Sequence, residues 1–586
     1  MSNLMDRVSN LRDLLDVAAG RKAADLYLDG GRLINVLSGE IYRANVAVWR
    51  DRIAYVGQSR QMVGAHTRVI DAAGYYLSPA LIEPHYHPWM VWSPAGAAEA
   101  ALCRGITTLV CDSLFFYVHL GPEGLLRLIE ALDHLPVKFL WLARITHQTP
   151  DPREEEIFSL GNLEKIFADP RVIKVAEITR WPSVAQGEEG VLTRILLAKE
   201  RGLGMEGHTA GCSYERLNPM AAAGTQSCHE AITAQEAADR VRLGFWTMLR
   251  NSSLRPDLPE LLRTITEMKL HTGRMLLTSD GCGPGFIERE GLLDGMLRRT
   301  VAAGINPVTA LSMATINPAT YLGLENERGA IAPGRRADIL LLPNLTDFTP
   351  HLVLSGGQVA AQDGRPCIPL PAPDWAGLGL TARLPDPASL NHPSLFGVPA
   401  ARDTSFPVID FVSAVITRRL DRFLKAREGF LEREDDLMYC TLADRFGRWL
   451  TNGFVRGLGR VEAMASTFTT SYDLLVMGRD RSSMALAACE AASLPGGIVV
   501  IDEGRVKFRL PLPLGGLMSD APTAGLTEKV RQLEELARNF GYPYHDILYT
   551  MLFLTCDFLP GPRITPAGIV DVKTRRVIIP SRPWPV

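Results

Sequence analysis

The amino-acid sequence predicts an α/β protein: a (β/α)8 TIM-like barrel, a small β-sandwich module built from both flanks of the barrel, and a C-terminal α/β domain. Three observations carry this expectation. Eight short apolar runs rich in β-branched residues alternate with helical segments between Tyr76 and Asp280, which suits a parallel sheet closed by crossover helices. Strand-like alternation stands on either side of that stretch. The 586 residues exceed what one hydrophobic core can organise, and at roughly 100–200 residues per domain three or four domains are expected.

Taken in order, the first element is an amphipathic helix, in which Leu4, Val8, Leu11, Leu14, Leu15 and Ala18 recur at helical spacing between charges. From Asp25 the period becomes two, around turns at Gly30-Gly31 and Arg50-Asp51. Residues 1–75 thus supply the helix and the first part of the β module. The strands expected for the barrel, over 76–325, are Tyr76–His87, Thr107–Asp112, Lys138–Arg144, Val172–Ile178, Leu203–His208, Thr225–His229, Phe245–Arg250 and Met275–Asp280. Helical stretches such as Gly124–Asp133 and Leu192–Glu200 separate them. An open doubly wound sheet is the alternative, and the strand count favours the barrel.

Strand patterns return at Gly329–Leu342 and Leu352–Val359, which places the second part of the β module at 326–365. Prolines from Pro366 to Pro407 mark 366–407 as a linker or a chain draped over the surface. Runs at 406–433, 460–478, 484–494, 498–510 and 526–540 then make the C-terminal domain, 408–586.

Composition narrows the function. A hydrophobic share of 46% with 22% charged residues excludes a disordered, collagen-like or membrane-embedded chain. A net charge of −3 without a Lys/Arg block removes the footprint of a nucleic-acid binder. No apolar stretch reaches the ~18–20 residues of a membrane span. The charges of Asp6, Arg7, Arg12, Asp13 and Asp16 interrupt any signal-peptide core. Nine cysteines without a C-x-x-C pair are neither a disulfide framework nor a structural zinc site. A cytoplasmic enzyme acting on a small molecule is expected.

The chemical signal falls at the C-terminal ends of the barrel strands, where such barrels place their active sites. His85-Tyr86-His87 puts two imidazoles on one side of a strand. Glu177 closes an apolar run, where a carboxylate is costly unless paired or metal-bound. His208, His229 and Asp280 end the fifth, sixth and eighth runs. Each alone could be a satisfied core or capping residue. Together, four imidazoles and two carboxylates are the ligand set of one or two divalent transition metals, with Zn, Mn and Fe all suited.

These motifs resemble the amidohydrolase superfamily and, within it, the adenine deaminase family. His85 and His87 match the H-x-H of the first strand, Glu177 the bridging acid of the fourth, His208 and His229 the fifth and sixth, and Asp280 the eighth. Further stretches are similar to the adenine deaminases: Ala176-Glu-Ile-Thr-Arg-Trp-Pro, Gly207-His-Thr-Ala-Gly, Gly224-Thr-Gln-Ser-Cys-His-Glu, Ala314-Thr-Ile-Asn-Pro-Ala and Leu510-Pro-Leu-Pro-Leu-Gly-Gly-Leu-Met-Ser. The resemblance implies metal-assisted hydrolysis of a C–N bond, with two ions, in which hydroxide attacks an sp2 carbon of an aminated heterocycle. It gives Asp280 the transfer of the water's proton to the leaving nitrogen. A homo-oligomer is a further family-level expectation. Glu230, directly after His229, is either a second proton carrier or a helix-start carboxylate.

The sequence departs from that family where substrate would sit. Pro88-Trp89-Met90 follows H-x-H in place of Ile-Glu-Ser. Asp112-Ser113-Leu114-Phe115 replaces Asp-Pro-His-Glu, Gly281 replaces the second Asp after the eighth strand, and Thr470-Ser471-Tyr472-Asp473 replaces His-Asp-Ser-His. Trp89, Phe115, Phe116 and Trp181 suggest a larger or more apolar substrate than adenine itself. Arg144 and Arg180 would suit a carboxylate, unless they pair with Glu177, Asp112 or a neighbouring loop. Two other functions therefore stand beside deamination: hydrolysis of an amide or cyclic amide on a bulky aromatic substrate that could bear a carboxylate, and a non-catalytic assembly role. The filled ligand set weighs against the second.

Overall fold

The computed structural model describes residues 2–585; Met1 and Val586, the outermost residues of the first and last expected segments, lie outside them. Eight parallel strands form the central sheet: β1 (Leu81–Tyr86), β2 (Ile106–Asp112), β3 (Lys138–Ala143), β4 (Val172–Ile178), β5 (Gly204–Gly207), β6 (Thr225–Cys228), β7 (Trp246–Arg250) and β8 (Met275–Thr278). They pair in chain order, and a parallel bridge between Tyr86 and Asp280 joins the first to the last. The sheet is therefore a closed barrel. Every residue of β1, β2 and β8 is buried, because a strand covered by helices outside and side chains inside has no wet face. Ile82, Val110, Leu142, Ala176, Met248 and Leu276 belong to one cluster; residues from six strands around a ring can meet only within it.

One expected strand divides in two. The run from Tyr76 to His87 crosses between sheets, with Tyr76–Pro79 lying in a nine-stranded sheet and Leu81–Tyr86 in the barrel. The apolar pattern continues across Ala80 without a break, so periodicity carries no mark of the change. That nine-stranded sheet combines Leu26–Asn35, Glu40–Trp49, Arg52–Gly57, Arg68–Asp71 and Tyr76–Pro79 with Ile339–Leu342, Leu352–Ser355, Gln358–Gln362 and Arg365–Pro366. The seam is antiparallel, with Leu77 opposite Leu341. Leu28, Leu33, Val46 and Ile53 make its larger core. Tyr27, Ala47 and Ala54, the alternate residues, pack with Val17 of the N-terminal helix Ser2–Ala18.

The expected linker is more ordered than its prolines suggest. It holds the short helices Trp375–Leu378 and Pro387–Leu390 and a 3-10 turn at Pro393–Phe396, with Leu378, Leu390, Leu395 and Phe396 buried. Apolar residues set between the prolines anchor it to the protein. Its last residues begin the strand Thr404–Phe411, which pairs with Thr417–Leu424.

The C-terminal part is built on a second nine-stranded sheet against which the helix Arg481–Ser493 packs. Two of its segments reach the barrel mouth. Met518–Ser519 pairs in parallel with Val91–Trp92 just beyond β1, and Thr555 accepts at its carbonyl from Thr149 Oγ1 in the loop after β3. Among the described residues no helix is long and apolar enough to cross a membrane.

Candidate metal centre

The barrel gathers all six expected ligands at one end. His85 lies on β1, and His87 follows that strand. Glu177 lies on β4, His208 and His229 directly follow β5 and β6, and Asp280 stands just past β8. All six are buried. Asp280 Oδ1 lies 3.1 Å from His87 Nε2 and 3.3 Å from His85 Nε2. Glu177 Oε2 lies 2.5 Å from His208 Nδ1 and 3.2 Å from His229 Nε2, while its Oε1 is 3.9 Å from His87 Nε2. Three groups converge closely enough to hold an ion: His85, His87 and Asp280; His85, Glu177 and His229; and His208, His229 and Glu230.

The donor set fits a divalent metal. Buried imidazole nitrogens without partners occur on all four histidines, at His85 Nε2, His87 Nδ1, His208 Nε2 and His229 Nδ1. Unpaired buried acceptors are costly, and nitrogen and carboxylate oxygen are the ligands that Zn, Mn and Fe share. Asp280 adopts φ 56, a conformation uncommon for a residue with a side chain. Glu83 on β1 holds that turn, accepting hydrogen bonds from Thr278 Oγ1 at 2.6 Å, Ser279 N at 2.9 Å and Ser279 Oγ at 2.6 Å. Burial raises the Glu83 carboxyl to about 7 against these hydrogen bonds.

Glu230 lies in the candidate centre, among buried charged partners. Arg250 Nη1 donates to its Oε1 and Arg255 Nη1 lies 3.3 Å from its Oε2. Burial pushes this carboxyl up, yet Arg250, His208 and Arg255 outweigh it and hold it well below the usual carboxylate range.

The two arginines expected to face a substrate anion are spent inside the protein. Arg144 donates to Asp112 Oδ2 at 2.6 Å, Glu177 Oε1 at 2.5 Å and the Glu177 carbonyl at 2.8 Å. Arg180 donates to Glu154 at 2.7 Å, Asp557 Oδ2 at 2.6 Å and the Thr149 carbonyl at 3.1 Å. Buried guanidiniums require such partners, and these ones leave no free charge for a ligand.

Aromatic residues wall the centre. The Trp89 ring lies 5.0 Å from that of His87, and Phe115 lies 6.4 Å from Trp89. Trp181 is half-buried and donates from Nε1 to the Ala210 carbonyl at 3.2 Å, two residues past His208. The C-terminal part supplies three more rings: Phe558, 5.4 Å from His208; Tyr472, 5.5 Å from Phe115; and Tyr549, whose hydroxyl donates to the Gly281 carbonyl at 2.7 Å. The Tyr549 hydroxyl fills the space that a Cβ at position 281 would need, which accounts for glycine after Asp280.

Sequence reasoning passed over Glu206, Glu83, Arg250, Tyr549 and Phe558. For the first three a signal existed: Glu206 and Glu83 each precede a ligand by two residues, and Arg250 ends β7. Tyr549 and Phe558 lie more than 250 residues beyond the barrel strands they approach, without a local pattern that links them.

Comparison with known proteins shows the family. The amidohydrolase family matches residues 76–360, and the adenine deaminase C-terminal domain matches residues 414–576. A Halalkalibacterium halodurans protein named "Putative adenine deaminase" is 33% identical over 97% of both chains. An adenine deaminase of Moorella thermoacetica is 32% identical over 97% of both, and adenine deaminase 4 of Rhizobium meliloti is 31% identical over 98% of both. The chain belongs to the amidohydrolase family, as a member carrying the adenine deaminase C-terminal domain, and is a hydrolytic enzyme acting on C–N bonds.

Proposed function

We propose that this protein is a metal-dependent deaminase that replaces the amino group of an aminated heterocycle with a carbonyl oxygen and releases ammonia. The observation that carries the reading is Glu177, whose two oxygens lie towards different histidines of the first and second halves of the centre. His85, His87 and Asp280 would hold one ion, and His208, His229 and Glu230 a second, with Glu177 between them. When bound, such ions lower the pKa of a coordinated water to about 7 and polarise the substrate.

The chain's own residues supply the proton handling and the enclosure. Asp280 Oδ1 lies with His85 and His87, which leaves Oδ2 to accept the water's proton. Arg250, 3.0 Å from that oxygen, holds the carboxylate in place, and the proton then passes on to the leaving nitrogen. Trp89, Phe115, Tyr549 and Phe558 exclude bulk water and present flat apolar surfaces to a planar ring.

The relatives give no support to excluding adenine, so adenine belongs first among the substrates to assay. The amide alternative loses its main argument, because Arg144 and Arg180 are internally paired. Ammonia release from adenine and a panel of other aminated heterocycles, with and without added Zn, Mn or Fe, tests the reading. Metal-dependent release from at least one is expected; a metal-loaded protein inert toward the whole panel but active on amides overturns it.

A further inference from the structure

We infer that Glu206 is a positioning residue for His85: its carboxylate takes the Nδ1 proton of the neutral imidazole and thereby directs the Nε2 lone pair at the metal centre. Glu206 Oε2 lies 2.8 Å from His85 Nδ1, and both side chains are fully buried. A carboxylate is an acceptor only, and a neutral imidazole carries one proton. A hydrogen bond at this distance therefore fixes that proton on Nδ1. On the far side of the ring, Nε2 has no hydrogen-bond partner and faces Asp280 Oδ1 at 3.3 Å. His87 Nε2 approaches the same oxygen at 3.1 Å. His85 Nε2 and His87 Nε2 thus both point at one Asp280 oxygen, the arrangement of three donors that a cation would occupy.

The placement is economical in sequence. Glu206 and His208 are separated by one residue on and just past β5, so one short segment offers a ligand and also orients a ligand held by β1. β1 and β5 are four strands apart in a ring of eight, and the bond therefore spans the barrel. Glu206 has no competing ion pair: among the described residues its one such contact is His85. The nearby Lys174 is bound to Gln226 Oε1 at 2.6 Å and lies over the Tyr321 ring at 4.4 Å. Carboxylates that accept from the second nitrogen of a ligating histidine raise its basicity and hold its orientation, and their loss typically costs 10–100-fold in metal affinity.

This inference rests on the metal-centre reading, and the test separates the two. Zinc affinity is measured on the metal-stripped full chain by competition with a chromophoric chelator, for wild type, Glu206→Leu, Glu206→Gln and Lys174→Met. Thermal stability of each metal-free protein and the visible spectrum of its cobalt form are recorded alongside. Glu206→Leu is expected to bind zinc about 10–100-fold more weakly, with an altered cobalt spectrum and a loss of affinity that exceeds any change in metal-free stability. Glu206→Gln, whose amide oxygen can still accept from Nδ1, recovers part of that loss, and Lys174→Met binds as wild type does. Wild-type affinity and spectrum in both Glu206 variants overturn the inference while leaving the centre intact. Equal losses in all three variants that track metal-free stability also overturn it, because barrel packing then explains them. Wild-type protein that binds no zinc overturns the centre itself, and this inference with it.

Discussion

Arg250 Nη1 lies 3.0 Å from Asp280 Oδ2 and also donates to Glu230 Oε1, so one buried guanidinium at the end of β7 ties the carboxylates that follow its two neighbouring strands. Among the described residues its Nε and Nη2 have no hydrogen-bond partner. This one side chain therefore couples two acids of the candidate centre.

Replacing Arg250 by Met removes a cation that two buried carboxylates share, with Arg255 still beside Glu230. Breaking a buried ion pair in this way costs about 3–5 kcal/mol, and urea unfolding of the metal-free protein should show a loss of that size. Deamination should fall by about 10²-fold or more, the typical contribution of a positioned proton-transfer group. Arg250→Lys keeps the charge and should recover stability before it recovers rate.

Chelation should abolish activity, and added divalent metal should restore it. Because the ion binds the folded chain, the melting temperature should rise with metal concentration, by an amount equivalent to about 2.7 kcal/mol at a hundredfold excess over Kd. His208→Asn and His229→Asn should reduce both the metal content, read by elemental analysis, and this thermal shift. A melting temperature indifferent to Zn, Mn and Fe would contradict the assignment.

The roof makes a packing prediction. Gly281→Ala drives a methyl into the Tyr549 hydroxyl and should cost about 1–3 kcal/mol, as overpacking does. Tyr549→Phe removes the obstructing oxygen together with its hydrogen bond to the Gly281 carbonyl. The double variant should therefore be more stable than the sum of the single losses, with a coupling of about 0.5 kcal/mol or more by double-mutant cycle.

Phe558, edge-on to His208 at 5.4 Å, should limit substrate size. Phe558→Ala is expected to raise KM for small heterocycles several-fold with a smaller change in kcat, and to improve relative turnover of N-alkylated aminoheterocycles. Ratios of kcat/KM across a size series measure this directly. An unchanged ratio would place Phe558 outside the substrate's reach.

Stability should also depend on pH through Asp473, which burial raises from 3.8 to about 7 despite the opposing charge of Arg445. The folded state keeps this proton where the unfolded chain has lost it. Its contribution is complete below about pH 4 and is lost as pH rises through about 7, with a slope that approaches ~1.4 kcal/mol per pH unit within that window. Asp473→Asn should flatten the corresponding part of the wild-type curve, as read from unfolding free energies between pH 4 and 8.

The sequence by itself determined the barrel and its candidate ligands. Apolar runs of strand length are local features, and a histidine or carboxylate at the end of such a run is conspicuous because burial there is costly; His85, His87, Glu177, His208, His229 and Asp280 were all legible on that ground. What lay beyond local pattern was decided by closure of the ring and by segments of the C-terminal part that reach its mouth. Whether Arg144 and Arg180 faced a ligand depended on Asp112, Glu154 and Asp557 coming within hydrogen-bonding distance, which no spacing along the chain encodes. The same holds for Glu206 reaching His85 across the barrel, and for Tyr549 and Phe558 closing over it. Electrostatic pairing acts over a few ångströms in space, and only the tertiary fold brings residues so distant in sequence within that range.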